Sequence, residues 1–214
     1  MKCLIICSSA DSSADIFSDI NISEYFVICA DGGLDAAQKN KIIPDLWVGD
    51  MDSVNKTENF CREKIVFPSD KDLTDSHIAV NEALKRGYRE IFITGATGGR
   101  LDHEFANYCL LKYILKSGGF GTILNKCNRI VMTDKSIDIT PCGMKYISFF
   151  PFGGTVEDFS VKNVKYELEN HLLSDDDTFT TSNEFVGNKP AKISFNKGYV
   201  LIICSGDIKE GLEL

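Results

Sequence analysis

Short apolar runs alternate with helix-spaced stretches through the first half of the chain. Lys2–Ser8, Tyr25–Ala30, Leu46–Gly49, Ile65–Phe67 and Glu90–Gly95 read as buried strands. Between them, Ala79, Val80, Ala83 and Leu84 fall at helical spacing and stop at Gly87, and Ala106, Cys109, Leu110 and Tyr113 do the same before Gly118-Gly119. Strand alternating with helix predicts a mostly parallel α/β sheet. After about residue 120 helical spacing disappears. Gly121–Leu124, Arg129–Thr133, Lys145–Phe150, Phe179–Thr181, Ala191–Phe195 and Tyr199–Cys204 read as strands, divided by turn residues at Pro141-Cys-Gly143, Gly153-Gly154, Asn188-Lys-Pro190 and Asn196-Lys-Gly198. The last of these turns is expected to close a hairpin between its two flanking strands. The pattern predicts two domains: an α/β domain over 1–120 and a β-sandwich over 121–214.

Composition narrows the function classes. The 214 residues carry a formal charge of −8 and no Lys/Arg-rich run, so the electrostatic footprint of a nucleic-acid binder is missing. The apolar stretch behind Lys2 dissolves into Ser8, Ser9, Asp11 and Ser12, too short for a signal core or a membrane span. A soluble, cytoplasmic protein is expected, with no membrane or nucleic-acid partner. Eight cysteines are scattered through strand-like segments without CxxC spacing, and His77, His103 and His171 stand far apart, which argues for reduced thiols and against structural zinc.

Four polar clusters lie just after predicted strands, where ligands of open α/β sheets bind. Asp31-Gly32-Gly33 ends one strand; its glycines suit either close approach to a phosphate or a plain strand-to-helix turn. Asp50 and Asp52 follow a second strand, and alternate carboxylates in an extended loop suit a hard cation such as Mg²⁺, with Asp75 a third ligand; turn-breaking aspartates are the alternative. Lys71, between Asp70 and Asp72, either neutralises phosphate charge or pairs with its neighbours. Thr74 reads as a helix N-cap. Gly95–His103 is a glycine-rich loop with Arg100 at its tip, a planar fork for phosphate oxygens, and Asp102 placed to orient it, cap a helix or bind metal. His103 reads as a helix-surface residue rather than a base.

Taken together, ADGG at 30–33, PDLWVGDMDSV at 44–54, DKDLTD at 70–75, GGRLDH at 98–103 and TSNEF at 181–185 resemble the thiamine pyrophosphokinase family, in order and in spacing. The resemblance implies an ATP-binding α/β domain, a thiamine-binding β-sandwich and a homodimer that completes the site. It implies that Asp50, Asp52 and Asp75 hold Mg²⁺ and that Asp31, Gly32, Gly33, Lys71, Thr74, Arg100 and Asp102 surround the nucleotide. Asp52, Asp75, Arg100 and Asp102 would serve catalysis, with Asp102 or Asp75 accepting the hydroxyl proton, while Ser182, Asn183 and Phe185 face thiamine. Phe185 is either the aromatic wall of that pocket or core, and Trp47, within a predicted strand, reads as buried. Two rivals remain at this point: a phosphatase with Asp50 as nucleophile and Asp52 as acid, and a non-catalytic nucleotide or thiamine sensor.

Overall fold

The computed structural model describes residues 1–8, 17, 20–50, 60–68 and 72–207. It divides into two compact units, Met1–Lys126 and Cys127–Leu214.

Six parallel strands form the sheet of the first unit: β1 (Lys2–Ile6), β2 (Tyr25–Ala30), β3 (Leu46–Asp50), β4 (Glu63–Phe67), β5 (Glu90–Thr94) and β6 (Phe120–Leu124). Their order across the sheet is β6-β5-β1-β2-β3-β4. The central strands are apolar throughout and buried from both faces; Cys3, Leu4, Ile5 and Ile6 of β1 are all at 0% exposure. Helices α1 (Gly33–Lys39), α2 (Asp75–Lys85) and α3 (Leu101–Lys116) connect strands. Thr74 caps α2, its hydroxyl accepting from the His77 amide at 3.3 Å. Past the ends of α2 and α3 the chain turns on left-handed glycines, Gly87 at φ 88° and Gly118 at φ 76°.

The inward face of α3 differs from the expected one. Asn107, Leu110, Leu111 and Ile114 are buried, whereas Cys109 is exposed and Tyr113 is 39% exposed. This helix is apolar on two sides, so periodicity alone leaves its rotation undecided.

Strands β7 (Asn128–Thr133), β9 (Tyr146–Pro151), β12 (Asn183–Glu184) and β14 (Val200–Ser205) of the second unit pair antiparallel in the order β12-β9-β14-β7. A second antiparallel sheet runs β11-β10-β13-β8, from β8 (Ile137–Ile139), β10 (Val156–Lys162), β11 (Leu168–Leu173) and β13 (Ala191–Ser194). Phe149 of one sheet meets Phe159 of the other with ring centroids 5.3 Å apart, both at 0% exposure, which is the interleaved core of a sandwich.

Two local expectations fail in this unit. Asn196-Lys-Gly198 does not close a hairpin, because β13 and β14 belong to different sheets; the turn carries the chain from one layer to the other. Backbone bonds between Glu157 and both Asn196 and Lys197 hold it. Phe179–Thr181 forms turns rather than a strand, and the Thr180 hydroxyl is spent on the Phe149 carbonyl.

Candidate functional site

The order of the parallel strands reverses between β1 and β5, and open α/β sheets have a crevice outside the carboxyl ends of the strands flanking such a reversal. A cleft of about 410 Å³ lies there. Its walls come from the ends of β1 (Cys7, Ser8), β2 (Ala30, Asp31) and β5 (Gly95, Ala96), and from the starts of α2 and α3, which bring Asp75 and Arg100. Segments about ninety residues apart in sequence therefore meet at one sheet edge.

Asp31 sits at φ 44°, in the left-handed region, locked by two contacts from β3: its amide donates to the Val48 carbonyl at 2.7 Å, and the Trp47 indole N–H donates to its carbonyl at 3.0 Å. Trp47 is fully buried, so its part is to set this turn rather than to face a ligand. Asp31 Oδ1 is buried without a hydrogen-bond partner among the described residues, which marks it as an acceptor waiting for a donor or a cation. Gly33 has a packing reason to be glycine: a Cβ there would stand 2.0 Å from the Ile6 carbonyl oxygen, so α1 begins pressed against β1. Asp31, rather than either glycine, lines the cleft.

Arg100 precedes the first turn of α3 and is mostly exposed. Its Nε and Nη2 donate to Asp102 Oδ1 and Oδ2 at 3.1 and 2.5 Å, and the His103 amide donates to Oδ1 at 3.0 Å. Of the three roles open to Asp102 by sequence, the structure thus displays the orientation of Arg100. The guanidinium beside it holds the Asp102 carboxyl down at about 2, and the same contact raises Arg100 further above its ordinary value.

Asp75 is the first residue of α2, half-buried, and Asp50 is the last of β3. Asp52 and Lys71 lie outside the described residues. Among the described residues no group of three His, Cys, Asp or Glu side chains is placed to hold a metal. Cys7, at the cleft floor, is pushed up to about 12 by burial and then by the Asp75 charge, so its thiol stays protonated.

Ser182, Asn183 and Phe185 lie together in the second unit, at β12. Ser182 is exposed at φ 58°, its amide donating to the Ser148 hydroxyl at 2.9 Å. Asn183 is 6% exposed and serves the backbone: its Oδ1 accepts from the Tyr166 and Glu184 amides and its Nδ2 donates to the Tyr166 carbonyl. Phe185 is half-buried, bridged to Val164. The clamp of Asn183 holds the backbone of Tyr166, a residue that is 60% exposed and carries Lys165 Nζ 5.3 Å from its ring centroid. Tyr166 escaped the sequence reading because no period or motif singles it out. Asn107 escaped it too, although a lone amide among Leu110, Leu111 and Ile114 on one helix face was a usable signal.

Two family models match the chain: thiamin pyrophosphokinase, catalytic domain, over residues 17–119, and thiamin pyrophosphokinase, vitamin B1 binding domain, over residues 120–200. The thiamine pyrophosphokinase of Bacillus subtilis is 34% identical over 173 residues, covering 78% of this chain and 80% of that protein. The chain belongs to the thiamine pyrophosphokinase family. A crystal structure of the B. subtilis family member superimposes with a TM-score of 0.86 at 28% identity, over 97% of this chain and all of that one. Its counterpart from Geobacillus thermodenitrificans gives 0.82 at 27%, over 97% and 98%. The thiamin pyrophosphokinase of Candida albicans shares the fold at 15% identity, TM-score 0.80, over 96% and 89%. These matches support neither the phosphatase nor the sensor reading.

Proposed function

We propose that this chain transfers a pyrophosphoryl group from ATP to the hydroxyl of thiamine, forming thiamine pyrophosphate and AMP. The observation that carries the reading is the cleft at the sheet reversal, where a glycine-rich loop and Arg100, itself held by Asp102, share the lining with Asp75 in a member of this family. Arg100 offers phosphate oxygens a planar, pre-aimed pair of donors, and the thiamine oxygen attacks the β-phosphorus in line with the departing AMP. The hydroxyl proton is taken up at this edge, by Asp75 or Asp102 or by solvent beside them.

Mg²⁺ fits the donor chemistry: Asp50, Asp52 and Asp75 are hard oxygen ligands, and the orphaned, buried Asp31 Oδ1 adds an acceptor at the same edge. When bound, the ion would offset the charge that grows on the phosphate oxygens. On the thiamine side we assign Tyr166 as the aromatic face, Ser182 as the exposed polar contact and Asn183 as the residue that sets Tyr166. Leu101 (80% exposed), Phe105 (61%), Cys109 and Tyr113 form an apolar stripe along α3, which we infer to be covered in a homodimer. No helix among the described residues is long and apolar enough to cross a membrane, and dependence on ATP suits a cytoplasmic location.

Purified protein incubated with ATP, Mg²⁺ and thiamine, then resolved by chromatography, tests the reading. Equimolar AMP and thiamine pyrophosphate, both lost with EDTA, are expected; folded, metal-replete protein that forms neither product refutes it.

A further inference from the structure

Glu104 lies in the first turn of α3, half-buried, against the cleft. Both of its carboxylate oxygens are occupied. The Gly98 amide donates to Oε2 at 3.1 Å, and the Tyr108 phenol, one helical turn on, donates to Oε1. Three residues along the same face, Asn107 donates from Nδ2 to the Ala96 carbonyl at 2.8 Å and accepts the Ser76 hydroxyl at 2.9 Å. Two side chains of α3 thus grip the glycine-rich loop at two backbone points, Ala96 and Gly98.

The loop needs such a grip. Gly95 and Gly98 stand at φ 66° and 80°, and glycines give up more conformational freedom on ordering than any other residue. A loop ordered only on arrival of the ligand would subtract that entropy from binding; one held beforehand would not. The arrangement also answers an electrostatic problem, because a bare carboxylate lining a phosphate-binding cleft repels its ligand. Here both oxygens face donors instead. Burial and then the Glu104 contact push the Tyr108 phenol up, so it remains a donor throughout the neutral range.

We propose that Glu104, braced by Tyr108, is a positioning residue that shapes the Gly95–Arg100 loop for nucleotide phosphates before the nucleotide binds. This rests on the ATP reading of the cleft, and Glu104 acts through the Gly98 amide rather than by touching the reacting atoms.

Glu104→Ala, Glu104→Gln and Tyr108→Phe test it with two measurements: hydrogen exchange of the 95–100 segment in the ligand-free protein, and KM for ATP and for thiamine separately. Gln keeps an acceptor for Gly98 and a partner for Tyr108. In Glu104→Ala we expect exchange across the segment and KM for ATP each to rise roughly tenfold, the scale of one lost charged hydrogen bond, with KM for thiamine moving less than about twofold. Glu104→Gln should stay near the parent on every readout, and Tyr108→Phe should fall between. Unchanged loop exchange in a folded Glu104→Ala protein, a parallel rise in both KM values, or a Gln variant as impaired as Ala would each overturn the proposal. A parent protein that shows the exchange pattern but makes no thiamine pyrophosphate would overturn the ATP reading alone.

Discussion

Arg100 and Asp102 show how much a single side-chain pair decides. The guanidinium holds the carboxyl at about 2 in the folded chain against an ordinary 3.8, so folding favours the ionised form. The pair's contribution is complete above about pH 4 and fades as pH falls toward 2, a titration that NMR of the Asp102 carboxyl would follow. Arg100→Lys keeps the charge but loses the fork, and is expected to raise KM for ATP roughly tenfold with little change in melting temperature. Asp52→Asn should abolish turnover while the circular dichroism spectrum and melting temperature stay as in the parent; retained turnover would count against a metal role. At Ser182, Ala removes the hydroxyl yet keeps the left-handed angle, whereas Gly relieves that angle; thiamine KM should rise in both, and stability only in the glycine variant. The Arg100–Asp102 pairing was legible only as one of three roles open to Asp102: two residues flanking the first position of a helix are neighbours in any fold, but capping and metal binding would use the same carboxylate. Asn183 was not legible. Its amide is consumed by a backbone segment seventeen residues upstream, and that contact exists only once two β-segments are brought together.

Elements were legible where both faces of a strand are buried and opaque where a bulge breaks the alternation. Tyr25–Ala30 is found at the expected boundaries. By contrast β10 escaped notice: Asp158 and Asn163 take φ 56° and 63°, the register shifts twice against β11, and Val156, Phe159 and Val161 lose period two. The turn at Asn196-Lys-Gly198 misled for a related reason, since a turn sequence fixes a reversal and not the partner that follows it. Gly198 is held there by φ 115° and by the Thr155 carbonyl, 2.7 Å from where a Cβ would stand. Gly33 makes the sharper test: Gly33→Ala drives a methyl into the Ile6 backbone and is expected to cost about 3 kcal/mol, read as a lower urea midpoint at unchanged slope. Gly187→Ala, with nothing within 4 Å of the new methyl, should show only the smaller penalty of its φ 60°, about 1 kcal/mol.

At the scale of the molecule, the stripe of Leu101, Phe105, Cys109 and Tyr113 predicts self-association. Sedimentation velocity should report a dimer in the parent, and Leu101→Glu with Phe105→Glu should report a monomer that keeps its secondary structure. Iodoacetamide at neutral pH should accordingly reach Cys109 faster in the monomeric Leu101→Glu/Phe105→Glu protein than in the dimeric parent, while Cys7, buried and titrating at about 12, stays unmodified in both.

The reversal of strand order between β1 and β5 carries one more consequence, for the history of each molecule during synthesis. β1 is made first, but its neighbour on the cleft side is made fifth, and the loop and helix that close the pocket follow that strand. A nascent chain that has emerged only as far as β4 has the β1 and β2 side of the crevice and lacks the wall that β5 and the glycine-rich loop supply. The pocket is therefore completed only when β5 and the elements after it dock beside the earlier-made β1, and a ligand of the cleft would favour that step.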